Sequence, residues 1–226
     1  MSLGNRYKSE ITNENWDAII IGSGSHCRAI IGILNQTNNY KILEILDLSF
    51  KIGTSEKILN IPVVSIDKLE KYRKKDGINI FLAIGDNNLR KSWFDRVMNE
   101  FDLPNLISTT AIIDKNATLG ISNVICSNAY LGPEVSLGNN NIINSGSIIE
   151  HEVKISNHCH AAPASVICGR SKVANNCFLG ANSTIIENIK IAENTIIGAG
   201  STLVESILNK NGVYIGSPAK LYRENK

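Results

Sequence analysis

The chain has 226 residues, a formal net charge of +2 and aromatic side chains at only 6% of its positions. Basic and acidic residues are mixed along it, which argues against a nucleic-acid-binding stripe or a charged tail. No apolar run approaches the roughly 18 residues of a membrane span, and residues 1–10 lack the apolar centre of a signal peptide. With cysteines at unpaired spacings, these features predict a cytoplasmic protein with reduced thiols.

Residues 17 to about 105 alternate apolar strands with amphipathic helices. The predicted strands are 17–22, 41–47, 61–65 and 78–85, and the predicted helices are 25–37, 66–75 and 87–101. This alternation is typical of a small parallel α/β domain, in which ligands bind beyond the carboxyl ends of the strands. We expect a Rossmann-like nucleotide-sugar-binding domain at residues 16–107.

Three polar or glycine features lie where predicted strands end. The motif GSGSH (22–26) follows the strand at 17–22, Asp47 closes the strand at 41–47 and Gly85 ends the strand at 78–85. As a dinucleotide fingerprint the motif is weak, because Cys27 occupies the third glycine position of G-x-G-x-x-G. A helix opening at His26 would attract anions, and an acid in the place of Asp47 commonly binds a ribose hydroxyl. The features predict one shared pocket; simple turns and a helix cap are the alternative.

From Ile113 onwards the pattern changes to a period of six residues. A branched aliphatic residue occupies fifteen of sixteen consecutive slots up to Leu203, and Ala161 fills the remaining one. Small residues such as Ser147 often follow four positions later. This period fits neither a helix nor a strand with a tight turn, but it fits a parallel β-helix with three faces and 18 residues per coil. We expect this domain at residues 108–226.

The chain resembles a known enzyme family along most of its length. Its repeat is similar to the left-handed β-helix of hexapeptide-repeat acyltransferases, and residues 212–223 resemble the segment that closes those enzymes. The closer resemblance is to bacterial nucleotide-sugar acetyltransferases, carried by GSGSH (22–26), LD (46–47), FLAIGDNNLRK (81–91) and IIEHE (148–152). That branch acts on UDP- or GDP-linked 4-amino sugars and is related to sialic-acid O-acetyltransferases. The resemblance implies acetyl-CoA as co-substrate and a homotrimer with active sites at subunit interfaces.

The resemblance also implies catalytic roles. His151 corresponds to the family's general base and Glu152 to the carboxylate that orients it, while Asn144 corresponds to a residue near the active centre. An imidazole can take the proton that an attacking amine loses, and a carboxylate on its second nitrogen fixes the tautomer. Without the resemblance, His151 would be read as an exposed histidine beside an acid, and Asn144 as part of an asparagine-rich ladder.

Gly169 lies 18 positions after His151 and therefore one coil along on the same side of the β-helix. Because glycine has no side chain, its N–H would be open at about one strand spacing from the base, where it could donate to an oxyanion. A tight corner is the alternative explanation. The resemblance favours the oxyanion role.

Ligand contacts follow from the same resemblance. Acetyl-CoA is expected to lie along the coils against His160, Ala181 and Ala199, since small residues suit a narrow cleft. A stacked corner residue is the alternative for His160. The expected nucleotide-sugar contacts are Gly24, Ser25, His26, Asp47 and Gly85.

A zinc site was considered, because some left-handed β-helices are zinc carbonic anhydrases and three histidines cluster between residues 151 and 160. The carboxylate–guanidinium pair of those enzymes does not accompany the histidines, and the EHE segment belongs to the other branch, so no metal is expected. His158 is predicted to be a surface residue. Four cysteines in repeat slots are predicted to be packing residues: Cys126, Cys159, Cys168 and Cys177.

The sequence therefore predicts an acetyl-CoA-dependent N-acetyltransferase. Its substrate would be the 4-amino group of a UDP- or GDP-linked 4-amino-4,6-dideoxy sugar, for a surface glycan such as lipopolysaccharide O-antigen. One alternative is an O-acetyltransferase of the sialic-acid type, in which the same base would deprotonate a hydroxyl. Another is a non-catalytic trimeric scaffold that senses nucleotide sugars, and a dehydrogenase is disfavoured by Cys27 and the β-helix. The residues do not distinguish UDP from GDP.

Overall fold

The computed structural model describes residues 16–49, 56–73 and 77–224. The N-terminal part is an α/β domain around a five-stranded sheet with the order β3-β4-β2-β1-β5. The strands are β1 (Trp16–Ile21), β2 (Tyr40–Asp47), β3 (Glu56–Ile58), β4 (Ile61–Ser65) and β5 (Asn79–Leu82). The helices are α1 (Ser25–Thr37), α2 (Leu69–Tyr72) after a 3₁₀ turn at Ile66–Lys68, and α3 (Asn87–Val97).

This sheet is parallel apart from one edge strand. β1 pairs in parallel with β2 and β5, and β2 pairs in parallel with β4, as the alternation predicts. Strand β3 was not predicted; it pairs antiparallel with β4 across Leu59 and Asn60, which both have positive φ. The helix predicted at 87–101 ends at Val97, where Glu100 closes a tighter turn onto the Val97 carbonyl. Residues 74 and 75 of the predicted second helix lie outside the described residues.

The C-terminal part is a three-faced prism of two-residue strands, each paired in parallel with the strands 18 residues away. The first face holds β6 (Leu106–Ile107), β9 (Val124–Ile125), β12 (Ile142–Ile143), β15 (His160–Ala161), β18 (Phe178–Leu179) and β21 (Ile196–Ile197). The second holds β7 (Ile112–Ile113), β10 (Tyr130–Leu131), β13 (Ile148–Ile149), β16 (Val166–Ile167), β19 (Thr184–Ile185) and β22 (Thr202–Leu203). The third holds β8 (Thr118–Leu119), β11 (Ser136–Leu137), β14 (Lys154–Ile155), β17 (Lys172–Val173) and β20 (Lys190–Ile191).

The repeated aliphatic residues fill the prism, which confirms the six-residue period. Those from Ile125 to Leu203 share one buried core, with Ala161 as its thin member. The ladder begins one slot earlier than predicted, because β6 already pairs with β9. We therefore propose that the β-helix starts at Leu106, two residues before the expected boundary. At the other end, β23 (Gly212–Gly216) pairs with β21 and folds back on β24 (Ala219–Glu224).

One residue at each corner of the prism has a left-handed backbone. Between residues 122 and 200 these positions recur every six residues, and eight of the fourteen are Asn or Gly. Asn and Gly tolerate positive φ, so the asparagine-rich composition reflects the corners. The other six corner residues adopt a conformation that is costly for them: Ser122, Glu134, Glu152, His158, Ala164 and Arg170.

The α/β domain covers the first face of the prism. Buried residues of α1 and its sheet form one apolar cluster with Val124, Cys126 and Ile142 on that face. Burial of Cys126 agrees with the predicted packing role, as does burial of Cys159 and Cys177; Cys168 is half-buried. This packing brings the carboxyl edge of the sheet close to His160 of the first face.

Candidate active site

The loops after β1, β2 and β5 meet at one edge of the α/β domain, as their sequence features predict. The Gly22 N–H donates to the Leu46 carbonyl at 2.9 Å, and the Ala83 N–H donates to the Ile21 carbonyl at 2.8 Å. Gly22 has φ +106°, and a Cβ there would lie 2.9 Å from the Ala83 oxygen, so this position requires glycine. No atom lies within 4 Å of a Cβ built on Gly85, which leaves space for a ligand among the described residues.

The first turn of α1 offers an anion site at this edge. Its N-cap is Gly24, which supplies no side-chain cap, and the turn contains no acidic residue. A Cβ on Gly24 would also meet open space. The exposed N–H groups of such a turn attract a phosphate. Asp47 stands at the end of β2 and accepts a hydrogen bond from the Ser49 N–H at 2.9 Å.

A half-buried histidine, His26, and a buried one, His160, face each other where this edge meets the prism. The ring centroids of His26 and His160 are 6.4 Å apart. The Ser145 N–H donates to Asn144 Oδ1 at 2.8 Å, which directs Asn144 Nδ2 towards His160 Nε2 at 3.2 Å. His160 therefore carries its hydrogen on Nδ1. That nitrogen and His26 Nε2 are buried and have no hydrogen-bond partner among the described residues.

Both imidazoles are held neutral. Burial, reinforced by the positive charge of Arg90, lowers the pKa of His26 to about 4. Burial and then Arg90 and His26 lower the pKa of His160 to about 3, with the Gly85 carbonyl acting in the opposite direction. Neutral rings with unpaired buried nitrogens suit a polar, uncharged part of a ligand. His26, Gly85, His160 and Asn144 are thus brought together in one chain.

Arg90 holds this region together, although the sequence motifs did not single it out. Its side chain is 1% exposed and donates to the Ile84 and Gly85 carbonyls on one side. On the other side it donates to the carbonyls of Asn140, His158 and Cys159. Burial lowers the pKa of Arg90 to about 10, so the guanidinium stays charged at neutral pH. A signal was present, because residue 90 has helical spacing with the buried residues 93, 94 and 97.

The prediction for His158 is wrong. It is 8% exposed, and its ring packs edge-on against Phe94 with centroids 5.5 Å apart. Its Nδ1 lies 2.9 Å from Asn140 Nδ2. Residue 158 occupies the left-handed position of the corner that α3 covers, so its ring is enclosed between the two domains.

The second group of candidate residues lies at the glutamate corner, between the second and third faces (residues 132–135, 150–153, 168–171 and 186–189). His151 Nδ1 is 3.0 Å from Glu152 Oε2, and the same oxygen accepts from Arg170 Nε at 3.1 Å. The His151 side chain is 44% exposed, and its Nε2 has no partner among the described residues. Hydrogen bonds from His151 and then Arg170 lower the pKa of Glu152, which keeps that carboxyl ionised.

Gly169 lies directly beneath the His151 ring. A Cβ built on Gly169 would be 2.5 Å from His151 Cε1 and 2.6 Å from Nε2, so only glycine allows this ring position. The Gly169 carbonyl accepts from Asn188, whereas its N–H has no acceptor in the described part of the chain. The 18-residue spacing thus places an unbonded N–H beside the imidazole.

Ala181 and Ala199 are exposed at the corner between the first and second faces. The backbones of the two coils lie close together here, because a Cβ built on Gly180 would be 2.5 Å from the Ala199 nitrogen. Asn144 begins the same kind of corner two coils earlier. The structure therefore groups the cofactor candidates and Asn144 along one edge of the second face, and His151, Glu152 and Gly169 along its other edge.

Within one chain these two groups do not meet, because the second face separates them. His151, His158 and His160 also lie on three different sides of the prism. Among the described residues, no three His, Cys, Asp or Glu side chains are arranged to hold a metal ion. None of the described helices has the length and apolar character needed to cross a bilayer.

Two cavities among the described residues lie away from both groups. One, of about 430 Å³, lies between Arg73 and the end of α3, near Phe101 and Asp102. The other, of about 500 Å³, lies between α3 and the asparagine-rich corner near His158.

Family models match the N-terminal domain and part of the C-terminal domain. Residues 17–97 match the family model of the PglD N-terminal domain, and residues 170–204 match the bacterial transferase hexapeptide model of six repeats. The comparison with curated proteins gave no match.

Solved structures match over nearly the whole chain. PerB from Caulobacter crescentus, in complex with CoA and GDP-perosamine, is 30% identical with a TM-score of 0.85, covering 92% of this chain and 97% of PerB. A mutant of perosamine N-acetyltransferase from the same organism, also with CoA and GDP-perosamine, is 28% identical with the same TM-score and coverage. The acetyltransferase domain of PglB from Neisseria gonorrhoeae is 22% identical with a TM-score of 0.84, covering 92% of this chain and 100% of that domain, and this likeness supports the fold alone.

Proposed function

The chain belongs to the hexapeptide-repeat nucleotide-sugar acetyltransferases, and from this we propose that it transfers the acetyl group of acetyl-CoA to a nucleotide-linked 4-amino-4,6-dideoxy sugar. The acceptor is the sugar's 4-amino group. The observation that carries the proposal is the His151–Glu152 pair above the unbonded Gly169 N–H. These groups are what amide formation from a thioester requires.

Each group has one task in the proposed reaction. Glu152 holds the His151 Nδ1–H at 3.0 Å, so Nε2 is the nitrogen that accepts a proton from the attacking amine. The amine nitrogen bonds to the thioester carbonyl carbon, and the Gly169 N–H donates to the oxygen that becomes negative. The carbon–sulfur bond then breaks, and the thiolate leaves with the proton that His151 holds.

The remaining candidates serve binding in this proposal. The N–H groups after Gly24, with Ser25, His26, Asp47 and Gly85, hold the nucleotide sugar at the carboxyl edge of the sheet. His160 contacts acetyl-CoA through Nδ1–H, with Asn144 fixing its tautomer. Ala181 and Ala199 allow the pantetheine arm to lie close to the backbone.

A homotrimer is part of the proposal, because the two groups need a second subunit to meet. The first face is covered by the α/β domain of its own chain. The third face carries exposed Lys154, Lys172 and Lys190, whereas the outward residues of the second face are uncharged and include Ile112, which is 64% exposed, and Ile148. If three second faces surround an axis, the glutamate corner of one subunit adjoins the alanine-bearing corner of the next. That arrangement would complete the site.

The proposal extends to a cytoplasmic location and a surface-glycan pathway, as the sequence predicts. Its five cysteines are all free thiols, which suits a reducing compartment.

The test is an acetyl-CoA consumption assay with UDP- and GDP-linked 4-amino sugars, free 4-amino sugars and sialic acid, with the product identified by mass spectrometry. We expect a mass increase of one acetyl group on a nucleotide-linked amino sugar. Acetylation of sialic acid alone would favour the O-acetyltransferase. If the protein binds nucleotide sugars but acetylates no amine, the non-catalytic scaffold becomes the better description of its function.

A further inference from the structure

Arg170 contacts both members of the catalytic pair. Its Nε donates to Glu152 Oε2 at 3.1 Å, the same oxygen that His151 Nδ1 approaches at 3.0 Å. Its backbone N–H donates to the His151 carbonyl at 3.0 Å. One residue of the following coil therefore touches the proposed base through the backbone and its carboxylate through the side chain.

The backbone at this corner shows that Arg170 is not a default corner residue. Glu152 and Arg170 have φ of 61° and 62°, one coil apart. Most prism corners use Asn or Gly there, because a residue with a long side chain is strained in this conformation. The left-handed positions of the glutamate corner are instead Glu134, Glu152, Arg170 and finally Asn188. A strained position held by two opposite charges in contact indicates a function for the pair.

We propose that Arg170 is a positioning residue that fixes Glu152 against His151 and limits how strongly this carboxylate favours the protonated imidazole. The proposal rests on the proposed acetyl transfer. It makes the catalytic unit His151–Glu152–Arg170, in which one carboxylate oxygen is shared between the base and the guanidinium.

The sign of the effect follows from the charges. During the reaction His151 becomes positive, and the negative Glu152 stabilises that form. Arg170 is positive, so it opposes the protonated imidazole and neutralises part of the Glu152 charge. Removal of Arg170 should therefore favour protonated His151. The acid limb of the pH–rate profile, where the base is protonated and inactive, should move to higher pH.

Other titratable groups of this corner do not replace Arg170. Glu134 lies in the coil before, Glu150 in the same turn, Cys168 in the coil after and Glu187 in the coil beyond. None of these side chains shares a hydrogen bond or ion pair with His151 or Glu152 within the described residues. Arg170 is thus the cation through which the corner controls the pair.

The test compares Arg170→Gln, Arg170→Lys and Lys172→Gln. For Arg170→Gln we expect the midpoint of the acid limb in the pH profile of kcat to rise by roughly half a pH unit. This is the size expected when one unit charge is removed several ångströms from a titrating group in a solvent-exposed region. We also expect the plateau kcat to fall about fivefold, because Glu152 is less well oriented. Arg170→Lys should restore the pH midpoint. Lys172→Gln removes a nearby exposed charge without a Glu152 contact and should leave the midpoint unchanged.

A second measurement separates this inference from the proposed function. The His151 ring can be titrated by NMR in the unliganded protein, as the exposed histidine beside three enclosed ones. A midpoint that is higher in Arg170→Gln than in wild type supports the inference even if no sugar is acetylated, and that failure would concern the proposed function alone. If the variant acetylates the sugar but has the same midpoint as wild type, both by NMR and in the pH–rate profile, the inference is overturned. A lower plateau kcat in Arg170→Gln with an unchanged midpoint would then show that Arg170 has a purely structural role.

Discussion

At the asparagine corner, between the third and first faces, stacked side-chain amides bond the backbone of neighbouring coils. Asn157 Oδ1 accepts from the Asn139 N–H at 2.7 Å, and Asn175 Oδ1 accepts from the Asn157 N–H at 3.0 Å. At the glutamate corner the same backbone path carries His151 and Gly169, and the Gly169 N–H has no acceptor in the described chain. The asparagine corner satisfies the outward N–H groups of Asn139 and Asn157, whereas at the glutamate corner those of His151, Gly169 and Glu187 have no acceptor among the described residues.

The difference shows how a repeat acquires a site. The coil needs an inward aliphatic residue and a left-handed corner, and both corners meet these needs. The residues just before the left-handed position are free of that requirement. At the asparagine corner they stabilise the stack, and α3 and Arg90 pack over the corner. At the glutamate corner they are Pro133, His151, Gly169 and Glu187, and none of their side chains bonds the backbone of a neighbouring coil among the described residues, so chemistry can be placed there at little cost to the fold.

The largest expected effect separates the two corner histidines. His151→Ala should lower kcat at least about a hundredfold, because the general base is lost, with little change in melting temperature since the ring is half exposed. His158→Ala should do the reverse, losing about 2–3 kcal/mol of stability through the Phe94 contact and the unpaired Asn140 amide. Calorimetry and saturating kinetics on the folded fraction check both. An unchanged rate in His151→Ala would remove it from the mechanism.

Glycine-to-alanine substitutions at the glutamate corner and at the asparagine corner compare the two corners at the level of the backbone. Gly169→Ala places a Cβ 2.5 Å from the His151 ring, and this exposed ring can move away. We expect kcat to fall about ten- to a hundredfold, as for loss of a well-placed base or oxyanion donor, with stability nearly unchanged. Gly138→Ala, at the asparagine corner, would meet the Ser156 carbonyl at 2.7 Å, which cannot move freely. It should destabilise the protein and leave kcat of the folded fraction intact; equal activities in the two variants would contradict the contrast.

The sequence was sufficient for the features that depend on periodicity. The hexad spacing predicted the three-faced core, and the 18-residue spacing correctly placed Gly169 beside His151. The same 18-residue spacing makes Arg170 a neighbour of Glu152. It does not show that the two side chains form a salt bridge, because many residue pairs share this spacing without one. Whether these residues perform the proposed roles stays a prediction.

Features that depend on how the domains pack could not be predicted. His158 seemed a surface residue because the repeat alone does not show which corner α3 covers. The same packing buries Arg90 and holds His26 and His160 neutral. The unpredicted strand β3 has only three residues, too short for a recognisable alternation.

A smaller effect is expected from breaking the asparagine stack. Asn141 is fully buried, and its Oδ1 accepts from the Cys159 N–H at 2.7 Å. Asn141→Ala leaves that buried N–H without an acceptor and should cost about 2 kcal/mol, measured by urea unfolding. Asn188→Ala, at the glutamate corner, loses no such bond but places alanine at a left-handed position, so its smaller cost measures that backbone preference alone. A stable Asn141→Ala protein would mean that the amide ladder contributes little.

The smallest effect is the share of the pH dependence of stability that His158 contributes at the asparagine corner. Burial lowers the pKa of His158 to about 4, with Asp95 opposing this and Lys91 and Arg90 adding to it. Between pH 6.5 and 4 the unfolded chain binds a proton at this residue that the folded chain does not, so stability falls as the pH falls through this range. His158→Asn removes the titrating group and supplies a residue suited to the left-handed backbone. Between pH 7 and pH 5 wild type should lose on the order of 1 kcal/mol more stability than His158→Asn, as measured by urea unfolding at each pH; equal losses would contradict this role of His158.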